Sequence, residues 1–140
     1  MANVCINLYT GNPTAGGTDG TVVSTGDTET SPVSVTLNAT NSETAIVKCA
    51  LRCETGYKTS GDTKITFTGT SAAKWQVAAD NSYADATAAA AATFASTLTI
   101  STSIAATNTV VWLKALSSAD ESPANDTGTD LQVACTVEKV

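Results

Sequence analysis

Alternation of apolar and polar side chains is the dominant pattern in this chain, and it predicts strands. Val4, Ile6 and Leu8 fall on one face of the opening segment, and Val33, Val35, Leu37 and Ala39 repeat the pattern directly after Pro32. Between residues 45 and 53 the contrast is sharper: Val47, Cys49, Leu51 and Cys53 point one way, Lys48 and Arg52 the other. Such a segment belongs to a sheet with one face on a core and one in water. Further strands are expected at 63–68 around Ile65 and Phe67, at 74–78 around Trp75 and Val77, and at 97–101 around Leu98 and Ile100. Two more follow at 109–116, through Val111, Leu113 and Ala115, and at 131–138, through Leu131, Val133, Cys135 and Val137. Together these predict an all-β, antiparallel β-sandwich of about eight strands.

Turn formers separate these segments. Gly11-Asn12-Pro13, Gly16-Gly17, Asp19-Gly20, Ser60-Gly61-Asp62, Asp80-Asn81 and Asn125-Asp126 supply residues that tolerate positive φ or preset a turn. Residues 10–31 are weakly patterned, broken only by Thr21-Val22-Val23-Ser24, an expected edge strand. The reading is a single domain in which residues 1–31 form an N-terminal arm with edge strands and residues 32–140 the sandwich. Neither Asn3 to Tyr9 nor Thr21 to Ser24 carries the charge that keeps solitary sheet edges apart. The arm is therefore expected to pair with a neighbouring subunit or with a host lattice, and its deletion to leave the sandwich folded while abolishing assembly. Ala84 to Ala95 has the strongest helix propensity, with Asp85 placed to cap a short helix near residues 84–93. Thr87, Thr93 and Phe94 favour strand, so both readings stay open.

Composition narrows the function. Thr and Ser supply 39 of the 140 residues while charged residues make up 14 %, which describes a polar, weakly charged β surface. Seven Lys and Arg against 13 Asp and Glu give a net charge of -6. Nucleic acid and anionic membrane are thus poor partners, because phosphate contacts need clustered cations. The chain has no His, which removes His triads, His proton shuttles and His zinc ligands. There is no G-x-S-x-G elbow and no Gly-Lys pair of a phosphate-binding loop. Residue counts do not exclude Ser–Lys catalysis, but it is given no place because no S-x-x-K motif is read in the chain. No catalytic residue, cofactor site or metal site is assigned, and the expectation is a protein that is not an enzyme. The first nine residues lack a basic start and a continuous apolar run, so synthesis in the cytosol with reduced thiols is expected.

Four features invite chemistry. Cys49 and Cys53 share a strand face but lie about 13 Å apart at the strand rise, too far for one disulfide. A zinc site would need Cys5 and Cys135 to converge with them, and alternation puts Cys5 opposite Val4, Ile6 and Leu8; packing as small apolar groups is favoured. Cys49 and Cys135 both take inward positions, so a pair across the sheets is geometrically allowed. The acid-rich run Asp120 to Asp130 lacks the ligand spacing of an EF-hand and reads as a solvated loop, as do Asp19, Asp27 and Glu29. Two carboxylates for glycoside hydrolysis cannot be picked out from spacing. Trp75 and Trp112 sit within strand patterns and read as core residues. The sequons Asn38-Ala39-Thr40 and Asn125-Asp126-Thr127 carry no weight in a cytosolic chain.

One run looks familiar: Ile100-x3-Ile104-x3-Asn108-Thr-Val-Val-Trp-Leu-Lys-Ala115, then Glu121-x-Pro123-x2-Asp126, then Leu131-Gln-Val133. It resembles the C-terminal half of the immunoglobulin-like modules attached to virion proteins of tailed bacteriophages, over roughly residues 63 to 138. Cys49, Trp75 and Cys135 do not have the Cys, Trp, Cys spacing of antibody domains, so a disulfide-pinned core is not carried over. The resemblance implies an immunoglobulin-like sandwich in the virion: a decoration, neck, tail or fibre-associated subunit, homo-oligomeric or bound to a protein lattice. The alternative is a carbohydrate-binding or adhesion module from a larger surface protein. That alternative requires an exposed aromatic platform from Trp75 or Tyr83.

Overall fold

The computed structural model describes residues 5–25, 28–29, 37, 43–117 and 129–140. Its strands are β1 (Ile6–Thr10), β2 (Thr21–Thr25), β3 (Thr28–Glu29), β4 (Thr44–Cys53), β5 (Tyr57–Gly69), β6 (Trp75–Ala79), β7 (Thr97–Ile100), β8 (Thr109–Leu116) and β9 (Thr129–Lys139). They form two sheets, in the order β3-β2-β1-β4-β8-β6 and β7-β5-β9. Setting aside the two-residue β3, eight strands make an antiparallel sandwich of five on three. Of the expected strands, only that over Val33, Val35 and Ala39 lies outside the described residues. The turn at Asn125-Asp126, the sequons, Asp27 and residues 120–128 of the acid-rich run lie outside them too.

The alternation seen in the sequence becomes the pairing. In β4 and β8, Cys49 opposes Val111 and Val47 opposes Leu113, while Lys48 opposes Trp112 on the other face. Ile6, Leu8, Leu51, Val77, Val111 and Leu113 from the larger sheet meet Ile65 and Val133 from the smaller. Each such side chain, fully buried, contributes about 1.5–3 kcal/mol relative to exposure. Ile104, between β7 and β8, is fully buried in the same core. It is fastened from both sheets. Its N–H donates to Thr59 Oγ1 at 2.7 Å, and its carbonyl accepts from the Thr59 N–H at 2.8 Å. The same carbonyl accepts from Cys53 Sγ at 3.3 Å.

A second core lies on the outer face of the larger sheet. Ala50, Val110 and Trp112 point outward there and are covered by the connection between β6 and β7, with Ala89 fully buried and Tyr83 and Phe94 packed alongside. The helix question resolves in favour of one turn, α1 (Ala86–Ala89), whose N-cap Asp85 accepts from the Ala88 N–H at 2.9 Å. Trp112 is buried as expected, but under this cover rather than between the sheets. Its Nε1 donates to Asp80 Oδ1 at 2.9 Å, and Tyr83 meets its ring edge-on at 6.3 Å.

Two expectations are corrected. Ser60-Gly61-Asp62 is not a turn: β5 runs through it, and the register against β9 slips between Ser60 and Lys64. Gly61, at φ +73°, absorbs this bulge. Nor do Ile6–Thr10 and Thr21–Thr25 stand apart from the sandwich as parts of an arm. β1 sits inside the larger sheet, paired with β2 on one side and β4 on the other, and its Ile6 and Leu8 belong to the core. The absence of charge that suggested an open edge reflects burial instead. Ile6→Ala should therefore cost about 2–5 kcal/mol of stability, and deleting residues 1–31 should unfold the domain. Urea unfolding followed by circular dichroism checks both, and a folded deletion variant would restore the arm.

Candidate functional site

The densest polar cluster surrounds Asn108, immediately before β8. Its side-chain amide donates to the Thr14 carbonyl at 3.0 Å, the Asp19 carbonyl at 3.1 Å and Asp19 Oδ1 at 3.0 Å. Its side-chain carbonyl accepts from Arg52 Nη1 at 3.0 Å. Its backbone closes the same contact: the Gly16 N–H donates to the Asn108 carbonyl at 2.9 Å, and the Asn108 N–H to the Gly17 carbonyl at 2.8 Å. The loop 14–19 is thereby stitched to the larger sheet. Asn108 is only 5 % exposed, so these bonds satisfy a group that burial would otherwise penalise.

Asp19, read from the sequence as a solvated acid, is a partner in this cluster. The Thr14 N–H and hydroxyl each donate to its carboxylate at 2.8 Å and hold it below its ordinary pKa. Arg52, on the outward face of β4, lies over the Tyr9 ring at 3.8 Å while bonding Asn108. Beside it, Asn7 Nδ2 donates to Glu54 Oε1 at 2.8 Å. Two more cations stack on the same face: Lys48 over Trp112 at 5.8 Å and Lys114 over Phe94 at 5.4 Å. Three of the chain's seven cations are thus laid against rings of one sheet face, each contact worth about 0.5–1 kcal/mol or more as it dries. Donors and acceptors here answer one another. The arrangement clamps loop to sheet.

Only the resemblance pointed to Asn108; the strand pattern had no use for it. The available signal was a lone amide directly before the most apolar strand. Ser71-Ala72-Ala73-Lys74 does carry S-x-x-K spacing, which corrects the expectation that gave Ser–Lys chemistry no place. It forms a single 3-10 turn in which the Lys74 N–H donates to the Ser71 carbonyl at 3.0 Å. Both aromatics named for a sugar platform are half-buried against another ring. Trp75 is half-buried and stacks on Phe67 at 6.2 Å, and Tyr83 is held against Trp112. Among the described residues no aromatic side chain ranks as exposed.

The four cysteines are thiols. Cys49 is fully buried opposite Val111, in the core against which Cys135 also packs. Cys53 senses Cys135 across the sheets, and Cys5 and Glu54 beside it. No group of Cys, Asp or Glu among the described residues is arranged to hold a metal. Burial pushes the Cys49 thiol up to about 12 and, together with those neighbours, Cys53 up to about 11. Such thiols are poor nucleophiles at neutral pH. In the unfolded chain a thiol ionises near 8.5, so stability is full below that value and falls as pH rises toward the folded values. The slope is about 1.4 kcal/mol per pH unit for each thiol. Urea unfolding between pH about 8 and about 10.5 should show this decline, with Cys49→Ala making it shallower; an unchanged slope would contradict the assignment.

Asn108→Ala should cost about 1–3 kcal/mol and open the loop 14–19 to protease at a rate the parent chain does not show. An uncleaved loop would mean that the backbone bonds to Gly16 and Gly17 suffice. No family model, curated protein or solved structure matches this chain.

Proposed function

We propose that this protein is a non-enzymatic structural subunit of a tailed-bacteriophage virion, seated on a protein lattice as a decoration, neck, tail or fibre-associated component. One observation carries the reading. The side chains with chemistry to offer, Asp19, Arg52, Asp80 and Asn108, are engaged with one another and with backbone, fastening loops to a sandwich. A scaffold uses polar groups this way, whereas a catalyst holds them ready for a substrate. The sandwich fold and the run from Ile100 to Val133 that resembles phage virion modules support the same conclusion. The low charge and Thr-rich surface suit a subunit that packs among others.

Purified virions from cultures producing this protein should contain it at a fixed copy number per particle, measured by quantitative mass spectrometry, and gold-labelled antibody should decorate one part of the particle. Its absence from washed virions would refute the assignment.

A further inference from the structure

We draw no further inference here: the strongest candidate, the exposed outer face of the three-stranded sheet around Thr68, Thr97 and Thr99, is a polar surface, and nothing in the structure shows what covers it.

Discussion

The rest of the structure depends on one constraint: β4 and β8 carry apolar side chains on their outward face, beside Lys48, Arg52 and Lys114, as well as on the inward one. An antiparallel sheet in a sandwich ordinarily leaves one face to water, but Ala50, Val110 and Trp112 project away from the sandwich interior. Trp112 alone carries on the order of 200 Å² of surface that water would otherwise meet. A cover is therefore obligatory, and the connection from β6 to β7 supplies it. Its alanines are small enough for a single helical turn to lie flat on Ala50. Asp80 meets the one polar atom of the Trp112 ring.

The cover extends only so far, and the remainder of that face is closed by a different kind of interaction. Toward β1 the sheet presents Tyr9 and Arg52, and the loop 14–19 is drawn over them by Asn108 and Asp19. Apolar burial protects one half of the face, and hydrogen bonds with a stacked guanidinium protect the other. The smaller sheet receives neither treatment. Its outward Thr68, Thr97 and Thr99 remain exposed.

This asymmetry bears on function. The larger sheet spends its polar chemistry on internal closure, while among the described residues the smaller one keeps a polar, Thr-bearing outer face. A subunit built to pack beside others benefits from one rigid, self-contained layer and one layer left for contact, and this supports the structural reading over a catalytic one.

The strand faces were legible in the sequence because period-two alternation follows from backbone geometry alone: Val47, Cys49, Leu51 and Cys53 could point only one way together. The cap at Asp85 was legible for the same local reason. Exclusion of His chemistry needed only composition. What tertiary structure decided is every contact between distant segments. The uncharged face of β1 read equally as open edge or buried centre, and only pairing with β4 chose. Trp112 read as buried, but which layer buried it depended on the connection between β6 and β7, a separate segment earlier in the chain. Asp19 and Asn108 lie 89 positions apart, and no periodicity links them. Cys53 came close to Cys135 because the packing of the two sheets, which no single strand encodes, sets that neighbourhood.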